Sequence, residues 1–102
     1  MFEGEIQAGA KLLDEKVGGN WWERIDLQRL AMFNCYNCVL GQLFGEYFDG
    51  LAHVEEVADR FDVSARFARE HGFSCVEHDG KSFDVLNEEW VAFLKGKQKK
   101  GE

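Results

Sequence analysis

Hydrophobic positions recur with a helical period along most of the chain. Ile6, Ala10, Leu13 and Val17 stand four, three and four apart with Leu12 beside them, which predicts an amphipathic helix over 5–17, ended by Gly18 and Gly19. The stretch 20–30 holds two N-cap residues, Asn20 and Asp26. It predicts short helical turns that send one of Trp21 and Trp22 inward together with Ile25, Leu27 and Leu30. After a polar turn at 34–38, Val39, Leu43, Phe44, Tyr47 and Phe48 return to helical spacing, so the most hydrophobic helix is expected over 39–48, closing at Asp49-Gly50. Within it, Gly41 and Gly45 stand four apart, and two such costly residues in one helix point to close approach by another backbone. Short helices over 54–61 and 64–71 follow, the second capped by Ser64 and ended by Gly72.

The period changes after Gly72. Residues 73–76 and 82–85 are β-prone pieces around the turn-like His78-Asp79-Gly80-Lys81, which reads as a hairpin. Asn87 is an N-cap type with Glu88 and Glu89 in the following turn, where the helix dipole favours acids. A last helix from there carries Trp90, Phe93 and Leu94 into the core. The fold class expected is mainly α: a single compact helical domain over 1–94 with a small C-terminal β-hairpin, followed by a basic, flexible tail over 95–102.

Size and composition agree with one folded unit. The chain has 102 residues, 45% of them hydrophobic and 14% aromatic, which suffices for a single core and lies outside the range of disordered chains. There is no run of apolar residues long enough to span a bilayer and no basic-then-apolar leader, so the reading is a cytoplasmic protein without a membrane segment. Three cysteines in such a chain are expected to be reduced thiols. Charge is uneven. Residues 1–94 hold eight Lys or Arg against eighteen Asp or Glu, while residues 95–102 hold four lysines and one glutamate. A body of that sign repels phosphate backbones, which disfavours nucleic acid and suits a basic protein partner, or a DNA-mimic surface if the acids form a ridge.

Among motifs with chemistry, Cys35-Tyr36-Asn37-Cys38 is the one to weigh. Together with Cys75-Val76-Glu77-His78 it supplies a C-x2-C and C-x2-H set, Cys35, Cys38, Cys75 and His78, with the donor types of a structural zinc site. As a redox pair, Cys38 at a helix start would have its thiolate favoured by the dipole. As ordinary core, Cys38 fills space beside Val39. His53, His71 and His78 lie in polar surroundings with no nucleophile and orienter arranged about them, and Glu55, Glu56, Asp59 and Asp62 lack the glycine-centred loop of a calcium site. Adjacent Trp21 and Trp22 cannot both point inward from a helix, so one is expected at the surface or in an interface.

The segments Trp21-Trp22-Glu23-Arg24-Ile25-Asp26-Leu27-Gln28-Arg29-Leu30 and Cys35-Tyr36-Asn37-Cys38-Val39-Leu40-Gly41-Gln42-Leu43-Phe44-Gly45-Glu46-Tyr47, and with them Gly72-Phe73 and Leu86 to Trp90, resemble a group of small proteins of actinobacteria and actinobacteriophages. The resemblance implies a phage or bacterial source and brings no catalytic residues with it. Its most specific part, 38–45, makes Cys38, Gly41, Gln42 and Gly45 positions to test; Gly41, Gln42 and Gly45, with Trp21 and Trp22 from the exposure argument, are the interaction candidates. The functional expectation is a non-enzymatic interaction protein, by which a phage modulates a host protein or which pairs with its own copy. A zinc module and a CxxC thiol protein are the alternatives.

Overall fold

The computed structural model describes residues 1–77 and 80–100. It contains α1 (Glu3–Lys16), a 3₁₀ turn (Trp21–Arg24), α2 (Val39–Phe44), α3 (Tyr47–Glu55), a second 3₁₀ turn (Arg60–Asp62), α4 (Ala65–Glu70) and α5 (Ser82–Lys100). The mainly α class holds, and among the described residues there is no strand. No helix of the described residues is long and apolar enough to cross a membrane.

The first helix follows its stripe. Ile6, Ala10 and Leu13 are buried, Glu3 and Glu5 occupy the first turn, Lys16 the last, and Gly18 takes a φ of 132° behind it. Two glycines let the turn after α4 lie against this helix. A Cβ on Gly9 would collide with the carbonyl of His71, and Gly72, at φ 70°, sits where its own Cβ would come within 3.1 Å of the Ile6 backbone. Behind that contact is the centre of the core. Trp90 of α5 donates its indole N–H to the buried Gly72 carbonyl at 2.6 Å, stacks on Phe73 at 6.3 Å and meets Trp21 edge-on at 6.4 Å. Each of these rings is almost fully buried, so three distant parts of the sequence close on one aromatic cluster.

Four expectations are corrected by the structure, the first being the helix expected over 54–61, where α3 ends at Glu55 and only the 3₁₀ turn Arg60–Asp62 follows. The helix expected over 39–48 is two helices: Gly45, at φ 98°, ends α2, and Glu46 starts α3 in extended conformation with its carboxylate accepting from Asp49 N–H at 3.0 Å. Asp49 and Gly50 are therefore inside a helix that runs on to Glu55, where Glu56 caps it in the left-handed conformation. The hairpin is absent from the described residues. Residues 82–85 form the first turn of α5, held by the Glu77 carboxylate, which accepts from Ser82 N–H at 2.9 Å and Phe83 N–H at 3.2 Å; His78 and Asp79 of the expected turn lie outside the described residues. Asn87 is thus a helix-interior residue, and its Oδ1 accepts from Met32 N–H at 2.9 Å. Finally, residues 95–100 continue α5 instead of fraying, because Gln98 donates to the carbonyls of Trp22 and Ile25, both at 3.1 Å.

Candidate functional site

Residues 30–45 contain no charged side chain, in a protein where 30% of residues are charged. This uncharged segment forms a tight turn and then α2. Asn34 builds the turn: its Oδ1 accepts from Tyr36 N–H at 2.8 Å and Asn37 N–H at 3.0 Å, and its carbonyl accepts from Cys38 N–H at 3.0 Å. Cys38 then caps α2, its thiol accepting from Gly41 N–H at 3.3 Å and lying 3.9 Å from the Cys35 carbonyl. The Cys35 carbonyl in turn accepts from Tyr47 N–H at 2.8 Å, which fixes the turn to the start of α3.

The consequence is an aromatic surface that the fold does not cover. Phe33 is 67% exposed, Tyr36 66%, Phe48 40% and Phe61 85%. Phe33, Cys35, Tyr47, Phe48 and Phe83 line a cleft of about 140 Å³ between the turn, α3, the 73–74 stretch and the first turn of α5. Phe61 joins the same surface through Arg60, whose guanidinium lies 5.7 Å from the Phe48 ring centre and 5.8 Å from that of Phe61. The same guanidinium meets Glu46 at 2.9 Å and Asp49 at 3.6 Å. A larger groove of about 350 Å³ separates α1 from α5, but its carboxylates are occupied. Glu89 accepts from Phe2 N–H at 2.7 Å, and the amino terminus meets Glu3 at 2.9 Å and Glu89 at 3.2 Å.

The structure distributes the sequence-derived candidates differently. Trp21 is in the core with its indole N–H on Asp14 at 2.8 Å, while Trp22 is half-buried and donates to the Gly19 carbonyl at 2.9 Å. Gly41 is buried directly under the turn: a Cβ there would overlap the Cys35 carbonyl and come within 2.6 Å of that of Tyr36. Close backbone approach thus accounts for Gly41, whereas Gly45 faces open space and serves the helix end. Gln42 ties two turns together, its Oε1 accepting from Asp26 N–H at 2.7 Å and its Nε2 donating to the carbonyls of Asp26 at 3.2 Å and Asn37 at 3.0 Å. These residues hold the cleft in shape from beneath and behind. Phe48 escaped sequence reasoning because helical spacing over 39–48 assigns it to the core and the break at Gly45 turns that phase, while Phe33 and Phe61 carry no local signal that marks them as exposed.

The cysteines are free thiols. Burial pushes the Cys38 thiol up to about 11, outweighing the lowering by the Gly41 N–H at the helix start. Burial, and next the Glu77 carboxylate, raise Cys75 as well. Cys35 is exposed in the cleft wall. Among the described residues no three His, Cys, Asp or Glu side chains converge as metal ligands, and His78, the fourth member of the zinc set, lies outside them. Three of the four acids of the 55–62 stretch are engaged singly: Glu55 with Ser64 N–H at 2.9 Å, Glu56 with Lys16 at 2.6 Å, Asp59 with Phe61 N–H at 2.9 Å. Burial also raises the Tyr47 phenol, to about 12, against a hydrogen bond with Ser74.

Compared with known protein families, with curated proteins and with solved structures, the chain matches none.

Proposed function

We propose that the chain is a non-enzymatic protein-interaction protein and that its contact face is the cleft at Phe33, Phe48 and Phe83, extended by Tyr36 and Phe61. The observation that carries this reading is the exposure of four large aromatic side chains, of which Phe33 and Phe48 line the cleft, Tyr36 lies on the same turn as Phe33, and Phe61 shares Arg60 with Phe48. Aromatic residues contribute large contact area at small entropic cost and are enriched where interfaces concentrate their energy. The turn bearing Phe33 is rigid before any partner arrives, being bonded to α2 and α3 through Asn34, Cys38 and Cys35. Preorganisation of that kind lowers the entropy lost on association. On the resemblance described above, the partner is a protein of an actinobacterial cell.

The test is site-specific photocrosslinking in producing cells, with benzoylphenylalanine at position 33 and, as control, at the exposed Gln28. A discrete adduct at position 33 that is missing at 28 is expected. Equal or absent crosslinking at the two positions would remove the cleft as a contact face.

A further inference from the structure

Resting on the interaction reading, we infer that the cleft takes a basic segment of a foreign protein: an apolar or aromatic anchor flanked by arginine or lysine. The aromatic centre supplies the anchor site, and the charge around it selects the flanks. The turn and α2 contribute no charge at all, so the field over the cleft comes from its other walls. Beside Phe48 stand Glu46 and Asp49, the two carboxylates that meet Arg60. Together they carry one negative charge more than the guanidinium they hold. On the far wall Glu77 and Asp84 adjoin the cleft residue Phe83, with Lys81 as the neighbouring cation.

The protein already demonstrates this recognition within itself. Arg60 is held by the rings of Phe48 and Phe61 together with the carboxylates of Glu46 and Asp49, which is the combination of π-face and acid that suits a guanidinium. One arginine balances only one of these two carboxylates. A second copy of the chain is a poor occupant, because a two-fold pairing over this face would bring two identical acidic rims together in a protein of net charge -7. A nucleic acid is repelled by the same field. A basic polypeptide gains from it in both association rate and specificity.

The experiment is selection of a yeast-displayed random peptide library on the immobilised full chain, with counter-selection on the Phe33→Ser/Phe48→Ser variant. Both replaced side chains are exposed, and a melting curve checks that the variant is folded. Enriched peptides are expected to carry net positive charge beside an apolar anchor and to bind more weakly as salt rises. Replacing the acid that meets Arg60 beside Phe48 isosterically, Asp49→Asn, leaves the rings in place and should weaken those peptides roughly two- to five-fold. Cleft-dependent peptides that are neutral or acidic would overturn this inference and leave the interaction reading standing. Failure to enrich any cleft-dependent peptide would overturn both.

Discussion

Gly41 offers the sharpest test of how the cleft is built. In Gly41→Ala the added methyl would overlap the Cys35 carbonyl and sit 2.6 Å from the Tyr36 carbonyl carbon and oxygen, whereas ordinary contacts begin at 3.4 Å. Relief therefore requires the turn to move by most of an ångström. It is not free to do so, since Tyr36 N–H is bonded to Asn34 Oδ1 at 2.8 Å and the Cys35 carbonyl to Tyr47 N–H at 2.8 Å. Overpacking of this kind costs about 1–3 kcal/mol, and displacing the Cys35–Tyr47 hydrogen bond about 1 kcal/mol more. Alanine's better helix propensity returns up to about 1 kcal/mol. The net expectation is a loss of about 2 kcal/mol, equivalent to a fall in Tm on the order of 10 °C for a domain this size. Gly96→Ala calibrates the propensity term, because Gly96 lies within α5 with nothing within 4 Å of its Cβ position, and should raise stability by about 0.5–1 kcal/mol. Urea unfolding followed by tryptophan fluorescence measures both. If Gly41→Ala proved as stable as the parent while Gly96→Ala gained as expected, the close approach of the 35–36 backbone would be refuted.

Other outcomes can be checked on the same instrument. Gln42→Ala removes three hydrogen bonds between the 26–30 and 31–38 turns and should cost about 1–3 kcal/mol, with the glutamate variant failing to restore it because Nε2 is the donor to both carbonyls. Trp90→Phe keeps a ring against Phe73 but strands the buried Gly72 carbonyl, for a loss of about 2 kcal/mol or more. For pH, the folded state holds the Cys38 thiol neutral up to about 11 while the unfolded thiol ionises from 9.0, so its stabilising effect is whole below pH 9 and disappears as pH rises through 11. That amounts to about 2–3 kcal/mol, and Cys38→Ala should flatten this part of a pH-dependent melting series. Gln98→Ala should cost about 1 kcal/mol and raise amide exchange over 95–100; unchanged exchange would count against docking of that helix end.

The helical class was legible because the stripe of α1 is sustained over three turns and the Trp90, Phe93 and Leu94 spacing of α5 repeats the helical period. Ser64 was read as a cap and is one, accepting from Phe67 N–H at 3.1 Å. Local signals misled where a distant partner claimed the same residue. Asn87 looks like an N-cap by type, but Met32 N–H occupies its side chain, and the helix began five residues earlier where Glu77 supplies the cap. Gly41 and Gly45 were indistinguishable in sequence, one being a contact and the other a change of direction; only the fold separates a missing Cβ from a positive φ. The cleft was illegible for the same reason. An exposed phenylalanine and a buried one share every local property, and the phase that exposes Phe48 is set by the break at Gly45.

The placement of Trp90 also governs the order in which the chain is finished. It joins Phe73 and Trp21 and bonds the Gly72 carbonyl, while Glu89 beside it holds Phe2 and, two turns on, Gln98 holds Trp22 and Ile25. Everything that precedes α5 therefore waits with its central surfaces open: the inner faces of α1 and α4 lack Trp90 until α5 is in place. A chain cut before α5 would present those surfaces to chaperones, and folding would come as a single event once α5 is available.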